Sequence, residues 1–246
     1  MPKFFVEKDD ILNESVTVSG GDAVHILKVL RLSEGDKVTL CDGQGTDYDA
    51  EILKTSKDSV TFALKEGYPC EAEPRVQVTL FQGLPKQGKM DFIIEKCTEL
   101  GISRIVPVSA KRSVVNIRDE KAEDKKLSRW RKIASESVKQ CGRGIIPEVL
   151  DVLTFKEAVE FSKDLDLVIA PYENERSTSI KEALSGKTPK SVGIFIGPEG
   201  GIADEEIEIL EKAGIKTVTL GKRILRTETA GLAALTAVMY EYSELN

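Results

Sequence analysis

The chain is poor in the residues that build metal centres, disulfide frameworks and membrane spans. Its 246 residues include one histidine, His25, and four cysteines at positions 41, 70, 97 and 141, with no C-x-x-C pair. A transition-metal site needs clustered ligands of these types, so none is expected. The scattered cysteines read as reduced thiols of a cytosolic protein. No apolar run approaches the roughly 20 residues of a membrane helix, and the longest, residues 231–239, runs directly into Tyr-Glu-Tyr-Ser-Glu. The first ten residues carry Lys3, Glu7, Asp9 and Asp10, which does not read as a signal peptide. The expectation is a cytoplasmic protein with no membrane contact. No G-x-G-x-x-G follows a strand-like run, which removes the dinucleotide fingerprint. The segment Gly83-Leu-Pro-Lys-Gln-Gly88-Lys89 has P-loop spacing, but Met90 stands where a Ser or Thr hydroxyl would hold magnesium.

Net positive charge is also missing. The total is −6, which alone argues against a nucleic-acid binder. The distribution is uneven. Residues 1–72 hold 8 basic and 14 acidic groups, so −6, and the remainder holds 27 of each. Residues 111–147 hold 11 basic and 5 acidic groups, a local +6. A local basic field is what phosphate contact requires, whatever the total; the plainer reading is a solvated helix face with ordinary ion pairs.

What is present divides at about residue 70. Hydrophobic residues make up 41% of the chain, enough for one large or two modest cores. Residues 4–6, 15–18, 37–41, 48–54 and 59–64 read as short strands, and residues 22–30 have helical spacing. This is the pattern of a small barrel over residues 1–70. The breaker-rich stretch from Gly67 to Pro74 reads as the linker. From residue 75 the period changes. Strand-like runs at 76–81, 104–108, 165–170, 192–196 and 217–220 alternate with helical segments at 89–100, 120–140, 155–161, 204–213 and 227–243. That alternation argues for an α/β domain, a parallel sheet covered on both faces.

Two motifs carry the chemistry. Gly197-Pro198-Glu199-Gly200-Gly201 closes one strand-like run, and Leu220-Gly-Lys-Arg-Ile-Leu-Arg-Thr-Glu-Thr-Ala230 closes another. Glycines let a backbone approach a ligand closely, and ligands of open parallel sheets bind outside the carboxyl ends of the strands. The helix after Gly201 opens with Asp204, Glu205 and Glu206, which repels a phosphate. Ile224 and Leu225 by themselves read as core. Arg226, Glu228 and Thr229 open the last helix, where Thr227 or Thr229 could cap; a cation there is disfavoured by the helix dipole, which suggests a task.

These motifs, GPEGG and LGKRILRTETA, resemble the SPOUT class of S-adenosylmethionine-dependent RNA methyltransferases. Within that class the chain is similar to the RsmE family, which methylates N3 of a uridine in small-subunit ribosomal RNA. The resemblance covers nearly the whole chain: the opening Met-Pro-Lys-Phe-Phe-Val, the segment from His25 to Arg31, the segment from Lys89 to Gly101, and Arg129-Trp-Arg-Lys-Ile133 through Pro147. Lys3 replaces an expected arginine, and Val24 a histidine often found before His25. The resemblance implies a SPOUT methyltransferase domain over residues 75–246 with a trefoil knot, and a PUA-like RNA-binding β-barrel over residues 1–70. It also implies a homodimer, the cofactor S-adenosyl-L-methionine, and 16S ribosomal RNA as substrate, in small-subunit particles. The implied cofactor residues are Gly197, Pro198, Glu199, Gly200, Gly201, Leu220, Gly221, Ile224, Leu225, Thr229 and Ala230. Arg226, Glu199 and Glu228 are the catalytic candidates, as a charge-stabilising cation and two possible general bases. Lys3, Lys28, Arg31, Lys89, Arg112 and Arg143 are candidate RNA contacts. Ribose 2′-O methylation on the same fold, and non-catalytic RNA binding in ribosome assembly, stay open.

Overall fold

Alternating apolar and polar residues over 15–19 and 37–41 make the half-buried strands that begin the fold. A computed structural model describes residues 2–86, 88–113 and 120–245 and divides the chain into two units. The first comprises Met1–Glu73 with Val138–Ile146, the second Pro74–Ser137 with Pro147–Asn246. No helix among the described residues is long and apolar enough to cross a membrane.

In the first unit, β1 (Lys3–Phe5), β2 (Ser15–Ser19), β3 (Lys37–Cys41), β4 (Thr46–Thr55) and β5 (Ser59–Pro69) form a sheet of order β1-β3-β4-β5-β2. β1 runs parallel to β3 and the other pairs are antiparallel. No described pairing joins β1 to β2, so the expected barrel is open at that seam. Helix α1 (Gly20–Val24) continues as a π-helical turn over His25–Val29. Its Ala23 and Ile26 pack on Val38, Leu40, Ile52, Val60 and Phe62 in a core of its own. β5 runs through Gly67 and Tyr68 to Pro69, where breaker residues signal a linker. Pairing of those three residues with Thr46, Asp47 and Tyr48 overrides the local signal, and Pro69 sits at the strand end.

Residues 138–146, which sequence periodicity assigns to the second half, are stitched into the first unit. Arg143 is buried and pairs with Glu73 at 2.8 Å. Glu73 also accepts from the Gly144 and Ile145 amides, at 2.7 and 2.8 Å.

The second unit is built on the parallel sheet β12-β10-β11-β6-β7-β8, with β9 also paired to β7. Its strands are β6 (Gln77–Gly83), β7 (Arg104–Ser109), β8 (Glu148–Val149), β9 (Leu153–Thr154), β10 (Leu167–Pro171), β11 (Ser191–Ile196) and β12 (Lys216–Val218). Successive residues point to opposite faces. Val78, Leu80, Val192, Ile194 and Ile169 enter one core, with α2 (Lys89–Glu99), α3 (Glu120–Cys141), α5 (Ile180–Leu184) and α7 (Thr227–Glu241). Phe81, Val106, Val108, Ala170 and Phe195 enter the other, with α4 (Phe155–Phe161) and α6 (Asp204–Lys212). Phe81 and Phe195 stack across the sheet at 4.3 Å. Trp130 anchors α3 in the first of these cores. Helix α7 packs against α2, α5 and the sheet, which accounts for its apolar surroundings. Leu235, Val238 and Met239 are fully buried within the chain's own core.

Candidate functional site

The carboxyl ends of β11, β10 and β12 are neighbours in the sheet, and the loops leaving them enclose one cleft of about 490 Å³. Gly197 begins the loop after β11. A Cβ there would lie 2.7 Å from the Gly201 carbonyl carbon and the Ile202 nitrogen, so only glycine lets the loop fold back on itself. Gly83, ending β6, is needed for a similar reason: its Cβ would meet the Pro198 nitrogen at 2.6 Å. Thr227 ties the motifs together. Its hydroxyl donates to the Gly197 carbonyl at 2.6 Å and accepts from the buried Gln82 amide at 2.9 Å. It therefore bridges β6, the glycine loop and the start of α7 rather than capping the helix. Arg226 holds the N-cap position, with no side-chain cap.

The cleft is lined by Gly197, Pro198, Glu199, Gly200 and Gly201, and by Leu220, Gly221, Ile224, Leu225, Arg226 and Ala230. Thr229 is not among the lining residues; as the third residue of α7, it is exposed. Ile224, read as a cofactor wall, is 84% exposed at the rim. Tyr172, Glu173 and Arg176, after β10, complete the cleft and were missed. The signal was there in principle, since they follow a strand end, but only the strand order puts β10 between the two motifs. Gly221 gives a direct test of fit. Its φ is +108°, and a Cβ built there meets nothing within 4 Å, so a ligand can approach this backbone closely.

Charge inside the cleft centres on Lys89. Its ammonium lies 3.1 Å from a Glu199 oxygen and 3.1 Å from a Glu228 oxygen. Glu199 also accepts from the Lys86 amide at 3.0 Å. Burial pushes both carboxyls up, but backbone N–H donors and Lys89 outweigh it and hold them below the usual carboxylate range. Their two hydrogen bonds hold Lys89 above the usual lysine range. Both carboxyls are thus held toward their ionised, weakly basic form. Lys89 thus clasps two carboxylates from inside the cleft. In the segment with P-loop-like spacing, Gly88 precedes α2 as its N-cap in the left-handed region, and Met90 is buried. Arg226 is exposed; its backbone carbonyl accepts from the Ala230 amide at 2.8 Å, its charge adds to what holds Glu228 low, and among the described residues its side chain makes no hydrogen bond or ion pair.

The remaining RNA candidates separate by burial. The Lys3 ammonium donates to the Asp47 carboxylate at 2.9 Å, the Gly142 carbonyl at 3.0 Å and Cys70 Sγ at 3.2 Å. Arg143 is sealed against Glu73. Each charge is matched inside its own unit. Arg112 donates to the Gly200 and Ile202 carbonyls, at 3.1 and 3.2 Å, and so braces the glycine loop. Lys28 and Arg31 are exposed and remain available. Among the described residues, no three metal-ligating side chains come together.

Comparison with known proteins places this geometry. Residues 72–239 match the model of an RNA methyltransferase domain, and residues 18–65 that of an RNA methyltransferase PUA domain. The chain is 37% identical over 249 residues to the ribosomal RNA small subunit methyltransferase E of Bacillus subtilis, covering 98% of this chain and 97% of that one. It superposes on the crystal structure of the Neisseria gonorrhoeae ribosomal RNA small subunit methyltransferase E bound to S-adenosyl methionine. The TM-score is 0.82 at 31% identity, covering 98% of this chain and 97% of that one. A Legionella pneumophila methyltransferase in complex with the same cofactor superposes with a TM-score of 0.82 at 27% identity, covering 97% of each chain.

Proposed function

The chain belongs to the ribosomal RNA small subunit methyltransferase E family, and from that membership we propose that it methylates N3 of a uridine in 16S ribosomal RNA, with S-adenosyl-L-methionine as donor. One observation carries the proposal: a glycine-built cleft at the ends of three adjacent parallel strands, of a volume within the roughly 300–1,000 Å³ of small-molecule sites. Leu220, Leu225 and Ala230 would hold the apolar part of the cofactor, and the backbone of residues 197–201 and Gly221 its polar edges. Bound there, the cofactor supplies a methyl group already activated by its sulfonium.

The rest falls to the protein's own groups. Alignment of nucleophile and methyl can supply much of the rate. Uridine N3 is a pairing edge, so the base must enter unpaired or flipped out. Its proton must leave, and with Glu199 and Glu228 held as weak bases by Lys89, we assign the task to Arg226. An unpaired guanidinium beside O2 or O4 favours the N3 anion, and the proton passes to solvent.

A homodimer, the assembled small-subunit particle as substrate, cytoplasmic action, and an RNA-guiding role for residues 1–70 through Lys28 and Arg31 belong to the same proposal. With Leu235, Val238 and Met239 committed to the core, a dimer contact would use the exposed Ile224 and Tyr240. A monomeric mass by light scattering, with full activity, would count against it. The central test is mass-spectrometric mapping of small-subunit RNA from cells with and without this gene. A missing N3-methyluridine that the purified protein restores supports the proposal; an altered ribose 2′-oxygen, or no change, rejects it.

A further inference from the structure

The cleft lining carries five basic groups (Lys89, Arg176, Lys222, Arg223, Arg226) and two acidic ones (Glu173, Glu199), so +3 in a chain of net −6. The excess sits at the rim. Residues 219–227 hold three cations and no acid. Lys222 and Arg223 are exposed, and among the described residues neither makes an ion pair or a side-chain hydrogen bond. Arg176, across the cleft, bonds the Glu175 carbonyl at 3.3 Å, and among the described residues its side chain has no other partner. Elsewhere near the site, cations are matched: Lys89 by two carboxylates, Arg112 by two carbonyls.

The rim loops are held in place. The Glu175 carboxylate accepts from the Ser177 and Thr178 amides at 2.6 and 3.1 Å and from the Thr217 hydroxyl at 2.9 Å, fixing the Arg176 turn to β12. Thr219 accepts from the Gly221 amide at 3.1 Å and pins the start of the Lys222 loop. Unpaired cations on anchored loops are suited to an anion from outside. S-adenosyl-L-methionine carries one carboxylate against a sulfonium and an ammonium, so three unmatched cations are more than it can neutralise. We infer that Lys222, Arg223 and Arg176 form a phosphate-gripping rim that holds the backbone of the RNA strand carrying the target base. This rests on the methyltransferase reading for the identity of the RNA, and on geometry alone for the charge. Contacts of this kind fix register without reading sequence.

The test uses the full chain, with Lys222→Ala, Arg223→Ala, their double variant, a triple variant adding Arg176→Ala, and Lys163→Ala as a cation outside the cleft lining, paired with Glu160. A labelled single-stranded uridine-containing fragment of small-subunit RNA is titrated at several salt concentrations. Removing one rim cation should lower the slope of log affinity against log salt by about 0.7, and the double variant should lower it by about 1.4. Lys163→Ala should leave the slope unchanged. The KM for RNA should rise in the rim variants, while kcat at saturating RNA and calorimetric affinity for S-adenosyl-L-methionine stay as in the parent. An unchanged slope and KM in the triple variant overturns the inference. So does a loss of cofactor affinity with an intact RNA slope, which would assign these cations to the cofactor carboxylate. A parent protein that transfers no methyl group, yet loses its slope in the variants, would sink the enzyme reading and leave the rim standing.

Discussion

Lys89→Met should loosen the cleft, because one ammonium is shared by two carboxylates. Both contacts are 3.1 Å, and the side chains of Lys89, Glu199 and Glu228 are 30%, 23% and 16% exposed. At an effective dielectric of about 20, two unit charges at this distance attract by roughly 5 kcal/mol, before desolvation and side-chain ordering are subtracted. Partly exposed pairs retain about 0.2–1 kcal/mol each. Taking the upper end for two half-buried pairs gives about 2 kcal/mol, or a Tm lower by roughly 4–8 °C for a chain of this size. The sign with pH follows from the shifts. Glu199 and Glu228 titrate below their usual range. Their contribution is therefore present above the unfolded carboxyl pKa of about 4.3 and lost as pH falls through the folded value. Lys89 titrates above its usual range, so its contribution is full below about 10.4 and fades as pH rises through the folded value. The gap between parent and variant should thus span about pH 5 to 10 and close in acid. In the variant, burial acts unopposed by Lys89, and Glu199→Gln in that background should restore part of the loss. Urea melts at pH 2.5 and 7 measure both quantities. A gap below about 0.5 kcal/mol at pH 7, within the scatter of ordinary surface changes, or an equal gap at both pH values, would refute the shared-clasp account.

Three further outcomes are expected. Gly197→Ala forces a Cβ to 2.7 Å from loop backbone and should abolish calorimetric binding of S-adenosyl-L-methionine while the far-ultraviolet spectrum is kept; full affinity would mean the loop is not the cofactor seat. Gly200→Val is the weaker probe, because its Cβ points at Arg112 Cβ, 3.0 Å away, rather than into the cleft. Arg143→Met leaves the half-sealed Glu73 charge without its partner, which costs about 3 kcal/mol, the low end for a broken buried pair since two amides still bind it; an unchanged melt would disprove this structural role. Arg226→Ala should keep or slightly raise Tm, given a helix-dipole penalty of a few tenths to about 1 kcal/mol. It should slow single-turnover transfer roughly a hundredfold or more, and a normal rate would remove Arg226 from the chemistry.

The parallel sheet was legible because its long strands are near-continuous apolar runs bounded by breakers, as at 192–196 before Gly197. Three short elements were not. β8 and β9 have two residues each and α5 has five, fewer than any period needs to declare itself. Local chemistry and pairing disagree at the start of the expected linker: Gly67 and Pro69 signal a break, yet β4 offers them ladder partners, and the division between the units comes at Glu73 and Pro74. Residues 138–146 read as belonging with the second half, because the hydrogen bonds from Glu73 that recruit them span about seventy positions.

Charge was the least legible property of the site, for a reason that the rim makes plain. A sequence shows the sign of a side chain and hides its partner. Lys3 and Arg143 looked like phosphate contacts and are matched by Asp47 and Glu73 within their own unit. Lys89 looked like another, and its two partners lie more than a hundred residues away in the chain. Lys222 and Arg223 drew no notice, although the nine residues around them contain no acid and their loop leaves a strand end. A cation is functionally informative when no carboxylate can reach it. Local absence of acids along the chain is one part of that condition, and strand order is the other, since it decides which distant loops face each other. Once β10 is known to lie between β11 and β12, Arg176 and the 219–227 loop must share a cleft, and their unmatched charge becomes a property of the site.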